Sequence, residues 1–144
     1  MTHIYELTVV DDEVVAAFAR LMPQLTITTA PSRAELMEMV ASDSCRLFMA
    51  RAADGHIAGC AALGLYRTPS GLHGWIEDVV VDEAYRRRGI GEALSKAVLQ
   101  AAGEAGVHTL SLTSRPARKA ANRLYQRLGF VRWKTNLYRF PNEG

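Results

Sequence analysis

The residues best suited to chemistry lie in one run, Val79-Val80-Val81-Asp82-Glu83-Ala84-Tyr85-Arg86-Arg87-Arg88-Gly89-Ile90-Gly91-Glu92-Ala93-Leu94. An apolar, strand-like stretch enters a basic turn, and two glycines then open a helical pattern. The first turn of a helix presents N–H groups outside its own hydrogen-bond ladder, at the positive end of the helix dipole. Glycines there let an anion approach the backbone closely, which is the physics of a phosphate site. Arginines at the rim add charge-assisted bonds. A plainer reading stands beside this one: Gly89 and Gly91 make a tight turn, and Arg86, Arg87 and Arg88 are solvated. For an isolated Gly-x-Gly the plainer reading carries more weight. Two better-known phosphate loops are excluded. A dinucleotide-binding fingerprint would need a third glycine, and a P-loop would need Gly-Lys-Ser/Thr.

The surrounding residues change that balance. Arg86-x-x-Gly89-x-Gly91, preceded by Val79-x-Val81-Asp82 and Tyr85, resembles the acyl-CoA signature of the GCN5-related N-acetyltransferases. Ala121-x-x-Leu124-Tyr125-x-x-x-Gly129-Phe130 resembles that family's second signature. Each string alone is moderately specific, and the two together in this order are strong. The resemblance implies that the amides of Arg87, Arg88, Gly89, Ile90 and Gly91, with Glu92 and Ala93 continuing the helix start, hold the pyrophosphate of acetyl-CoA. It implies that the preceding strand bulges and splays, so that the backbone of Val79, Val80 and Val81 pairs with the pantetheine arm as an added strand. A bulged amide near Val79 or Val80 would also steady the developing oxyanion. Tyr125 matches the tyrosine that protonates the leaving thiolate; its periodicity alone fits a core aromatic equally well. Where many members carry asparagine seven residues before that tyrosine, this chain has Arg118. Either Asn122, one helical turn from Tyr125, takes over the pantetheine contact, or Arg118 meets the cofactor's phosphates.

An amine attacks a thioester only when neutral, and an alkylammonium has a pKa of about 10.4. A route for its proton is therefore needed. Glu77 and Asp78 sit just before the cofactor-pairing backbone, and strand alternation sends them to opposite faces. Glu77 is the favoured base, directly or through water, with Asp78 or a water chain as the alternative. Ile76-Glu77-Asp78 also resembles the matching stretch of polyamine and glucosamine-phosphate acetyltransferases. The expected acceptor is a small-molecule primary amine; a protein or peptide amine and a non-catalytic CoA-binding module are the alternatives. The rest of its pocket is expected from the first helix pair and the turn Tyr66–His73, with Leu25–Thr29, His73 and Trp75 as candidates to line it. Cys45 and Cys60 fall in neither signature, so no acetyl-cysteine is expected.

Positioning these groups takes a whole domain. The expected elements are a strand over His3–Val10, helices over Glu13–Met22 and from Pro31-Ser32, and strands Cys45–Ala52, His56–Tyr66 and His73–Val81. A helix over Gly89–Ala105, a strand Val107–Thr113, a helix from Pro116 to Leu128 and a last strand region Phe130–Phe140 follow. That order is a mixed α/β domain. The resemblance makes it an acyl-CoA N-acyltransferase fold: one domain over residues 1–144, with six to seven strands in a central mixed sheet and about four helices. Of the 144 residues, 49% are apolar and 22% charged, which suits one soluble core. No apolar run approaches the ~18 residues that span a bilayer, and no signal peptide is evident, so a cytoplasmic protein without membrane contact is expected. Two cysteines and four scattered histidines form no metal constellation. Residues 76–144 carry 12 basic and 7 acidic side chains against 5 and 8 before them, which places a polyanion in the second half. Lacking aromatics interleaved on a basic face, that half is not expected to bind nucleic acid. Trp133, Leu137, Tyr138 and Phe140 form an apolar end that suits a homodimer or a last core strand.

Overall fold

The computed structural model describes residues 1–142, which divide into two compact units, Met1–Thr113 and the residues from Ser114 onward. The first unit is built on a single sheet in the order β1 (His3–Glu6), β2 (Cys45–Arg51), β3 (Ile57–Thr68), β4 (Gly71–Val81) and β5 (Thr109–Ser111). β1 to β4 are antiparallel neighbours, and β5 joins β4 in parallel. The mixed α/β class expected from the sequence holds. The strand count does not reach six or seven: five strands form among the described residues, and residues 130–142 adopt none. Apolar alternation alone does not make a strand without ladder partners.

Helices cover both faces of the sheet. α1 (Asp12–Leu21) starts where the Asp11 carboxylate accepts the Val14 amide at 2.9 Å, and α2 (Arg33–Ala41) starts on a capping box between Ser32 and Glu35. Val14, Ala17, Phe18, Leu21 and Leu36 from these helices bury themselves with Leu47, Met49, Cys60 and Val80 of the sheet. The opposite face takes α3 (Ile90–Ala105), which buries Ile90, Leu94, Val98, Ala101 and Ala102. Ordinary alternation along β2 and β3 sends Phe48, Ala61 and Leu63 to that second face.

α3 packs tightly against the sheet at Gly59. A Cβ there would lie 2.9 Å from the Val80 carbonyl oxygen and 3.1 Å from Leu94 Cδ1. Gly59→Ala should therefore lower the urea midpoint with an unchanged m-value, corresponding to a loss of about 1–3 kcal/mol from overpacking.

In the second unit α4 runs over Lys119–Arg127, a shorter helix than the Pro116–Leu128 segment expected. Gly129, at φ 103°, ends it in the left-handed region, and the Phe130 amide bonds back to the Tyr125 carbonyl at 3.0 Å. Val131, Trp133, Leu137, Tyr138 and Phe140 beyond it are exposed.

Candidate active site

One extra residue shapes the centre of the first unit. Across the β3–β4 ladder Cys60 faces Val80 and Ala62 faces Glu77. Asp78 and Val79 therefore stand together opposite Ala61, which is a β-bulge. Asp78 takes φ 51°, a left-handed conformation rare outside glycine and tolerated best by Asn and Asp. Its carbonyl oxygen accepts the Cys60 thiol at 3.7 Å. On the other side of β4, parallel pairing runs only from His73–Thr109 to Trp75–Ser111. Beyond Trp75 no strand pairs with that side of β4 among the described residues. Val79, Val80 and Val81 thus lie on a bulged segment whose outer edge can receive an extended ligand by strand addition.

β4 then leads into the basic turn. The Asp82 side chain accepts the Ala84 amide at 3.1 Å and starts a 3-10 turn over Glu83–Tyr85. Arg86 Nε donates to the Val81 carbonyl at 3.1 Å, Arg87 adopts φ 65°, and Gly89 adopts φ 77° as the N-cap of α3. No side chain caps this helix. The Ala93 amide makes the first helical bond, to Gly89 at 3.0 Å, so the amides ahead of it lie outside the helical ladder. A Cβ on Gly89 would meet nothing within 4 Å; glycine serves here for its backbone angle, and the surface over it is open. A 16-residue helix with an uncapped, open N-terminus beside Arg86, Arg87 and Arg88 fits a pyrophosphate.

Asp82 ties this turn to α1, a link that the sequence reading missed. It is 7% exposed, receives Arg20 Nε at 3.0 Å, and has Gln24 Nε2 at 3.5 Å; Gln24 Oε1 in turn accepts the Glu83 amide at 2.9 Å. Arg20 also donates to the Ile57 carbonyl at 2.7 Å. Arg20 lies in the last turn of α1 and Gln24 in the 3-10 turn Met22–Gln24 that follows it; two polar side chains four residues apart were the available signal, and they name no partner. Burial works against ionisation of Asp82, but the Ala84 amide, Arg20 and Gln24 outweigh it and hold its pKa below the usual value. A depressed carboxylate pKa adds stability above the unfolded-state pKa, and that stability is lost as pH falls through the folded-state value. Asp82→Asn should therefore lower stability at neutral pH and flatten the further loss below about pH 4, as read from urea midpoints across pH.

The acceptor-side candidates lie on the face covered by α1 and α2. Glu77 is exposed and stands opposite Ala62, which packs against the Leu47–Met49–Cys60 cluster, as do Leu25 and Ala30 at the ends of the α1–α2 connection. The bulge breaks the alternation that would have sent Asp78 to the far face. The Asp78 carboxylate is near enough to raise the pKa of both cysteines, after burial as the larger cause. Burial lifts Cys60 to about 12, so it stays a protonated thiol near neutral pH. Trp75 donates to the Tyr66 hydroxyl at 3.1 Å, and His73 lies between Thr109 at 2.6 Å and Thr68 at 2.8 Å. Ile27, in the expected pocket segment, is fully exposed.

Arg118, Asn122 and Tyr125 come together in the second unit. Arg118 precedes α4 without capping it by its side chain, and Asn122 Nδ2 donates to the Arg115 carbonyl at 3.0 Å. That bond gives Asn122 the local task of holding the helix entrance. Tyr125 is buried and meets Phe130 edge-to-face at 6.0 Å. Burial raises its pKa, and Arg118 partly opposes the shift. It is thus a neutral phenol, a proton donor, across the physiological range.

Comparison with known proteins decides the relationship. The family model described as Acetyltransferase (GNAT) family matches residues 21–130. The chain belongs to this family. It is 40% identical over 71 residues to N-alpha-acetyltransferase 30 of Xenopus laevis, a stretch covering 49% of this chain and 26% of that protein. The matched stretch thus spans about a quarter of that relative's length. A similar match, 39% over 73 residues, covers 51% of this chain and 38% of N-alpha-acetyltransferase MAK3 of Arabidopsis thaliana. Among solved structures, an aminoglycoside acetyltransferase from an uncultured soil metagenomic sample shares the fold at a TM-score of 0.81 and 24% identity, covering 99% of each chain. AAC(6')-Iy, solved in complex with the bisubstrate analog CoA-S-monomethyl-acetylneamine, does so at 0.76 and 22% identity, covering 99% of each chain. Among the described residues of this chain, no group of three or more His, Cys, Asp or Glu is arranged to hold a metal ion, and no helix is long and apolar enough to cross a membrane.

Proposed function

We propose that this family member is an acetyl-CoA-dependent N-acetyltransferase acting on a primary amine of a small molecule by direct attack in a ternary complex. One combination carries the reading: a bulged β4, joined on its outer side by no strand beyond Trp75 among the described residues, leads into an uncapped glycine N-cap beside three arginines. A long cofactor with an amide-bearing arm and a pyrophosphate needs those two features in that order. Acetyl-CoA supplies the activated acetyl group. The amides from Arg87 to Gly91, with Glu92 and Ala93 behind them, hold its phosphates; the backbone of Val79 to Val81 holds its arm, and a bulge amide faces the thioester carbonyl. Glu77 accepts the acceptor's proton directly or through water, and Tyr125 gives one to the thiolate. Arg118 or Asn122 supplies the further cofactor contact in this reading, Arg118 to its phosphates or Asn122 to its pantetheine arm.

Residues 1–144 act here as one domain in the cytoplasm. The exposed Trp133, Leu137, Tyr138 and Phe140 support pairing with a second copy. A second reading, acetylation of a peptide N-terminus, is favoured by the 40% identity to an N-alpha-acetyltransferase.

Calorimetric titration with acetyl-CoA, followed by CoA release across polyamines, amino sugars, aminoglycosides, amino acids and peptide N-termini, tests the proposal. Absence of binding at high micromolar cofactor overturns it; turnover of peptides alone moves the acceptor to the second reading. Tyr125→Phe should slow turnover about 100–10,000-fold with acetyl-CoA affinity nearly unchanged, the effect of losing a general acid. Glu77→Gln should lower kcat/KM most at the acidic end of the pH profile, where the amine most needs a base.

A further inference from the structure

Tyr85 is half-buried directly before the arginines, and none of the roles above uses its side chain. Its hydroxyl donates to Asp54 Oδ2 at 2.6 Å, and His56 Nδ1 lies 3.3 Å from the same hydroxyl. Asp54 and His56 belong to the hairpin between β2 and β3, which is distant in sequence and pinned by its own bond from the His56 amide to Asp54 Oδ1 at 3.0 Å. The guanidinium of Arg88 lies over the other part of the same residue, 5.1 Å from the Tyr85 ring centre. Tyr85 therefore touches a fixed hairpin with its oxygen and the basic turn with its ring. Such a support suits the turn, because it contains two left-handed residues, Arg87 and Gly89; Arg86 Nε to the Val81 carbonyl and Ser95 Oγ to the Gly91 carbonyl tether it to β4 and α3, and Tyr85 alone of these links it to the β2–β3 hairpin.

We propose that Tyr85 is a positioning residue for the cofactor turn: its hydroxyl, anchored on Asp54, and its ring, beneath Arg88, hold the Arg86–Gly91 backbone in its anion-binding shape. The proposal rests on the reading of that turn as the acetyl-CoA cradle. It is electrostatically counterintuitive. Asp54 places a carboxylate beside a site meant for phosphates, and its pKa is held low by the Tyr85 hydroxyl above all, so the charge is present at neutral pH. By Coulomb's law alone, removing that charge would strengthen anion binding. If Asp54 serves as an anchor, removing it weakens binding instead. The two accounts differ in sign.

Calorimetric affinity of the full chain for acetyl-CoA separates them. Tyr85→Phe, which keeps the ring under Arg88 and deletes only the hydroxyl, should weaken binding about 3–10-fold. Asp54→Ala should weaken it by a similar factor, and the double variant should be no weaker than the worse single variant, because both remove one shared bond. Tyr85→Phe should raise KM for acetyl-CoA and leave kcat nearly unchanged. Unchanged affinity in Tyr85→Phe, tighter binding in Asp54→Ala, or additive losses in the double variant each overturn the proposal. Because Tyr85→Phe alters one hydroxyl at the surface, it tests the idea even if Asp54→Ala disturbs the hairpin. If the unaltered chain fails to bind acetyl-CoA, the cradle reading fails and this proposal with it; binding that is indifferent to Tyr85 removes only the proposal.

Discussion

The bulge at Asp78–Val79 is the constraint from which the rest of the first unit follows. One residue too many in β4 forces Asp78 into the left-handed region and turns its carbonyl toward the Cys60 thiol. It shifts the pleat, so Glu77 and Val80 both end on the α1–α2 face although they are three residues apart. β4 pairs with β5 only before the bulge, at His73–Trp75, and among the described residues no strand joins its outer side afterwards. The bulge is tolerated because its neighbours are fixed: Val80 is buried in the α1–α2 core, and Asp82 is clamped by Arg20 and Gln24 a few residues on.

Much of this was readable beforehand, and for identifiable reasons. Asp11, Ser32 and Gly106 mark helix ends because each does local work, by a side-chain cap or a left-handed backbone, that residue type reveals directly. The Arg86–Gly91 turn was legible because uncapped helix amides and glycine angles are local too. Non-local facts were not legible. The sequence places Arg20 and Asp82 sixty-two residues apart, and nothing in either suggests a salt bridge. Strict alternation sent Asp78 away from Glu77, since the bulge is a two-strand property that no single strand displays. The expected strand over Phe130–Phe140 failed for the same reason: its apolar alternation is genuine, but a strand exists only through its partner.

The donor and acceptor sides of the candidate site draw on different parts of the chain. What would hold the donor is almost entirely main chain: bulge amides, an open strand edge and the start of α3. What would face the acceptor is almost entirely side chain, from Glu77 and Asp78 to Trp75, Tyr66 and the exposed connection around Ile27. The family relationship speaks most directly to the first part, whereas the solved structures that share the fold at 24% identity and below speak to the scaffold alone.

The open space over Gly89 has an evolutionary corollary. A binding surface composed of peptide groups is nearly invisible to point mutation, since most codon changes alter only what hangs from the backbone. Such a surface drifts slowly, and it is broken chiefly by insertions, deletions or the loss of a left-handed glycine. A surface made of side chains can be rewritten one codon at a time. A chain that held its donor through the first material and its acceptor through the second would be free to change acceptors while keeping one donor.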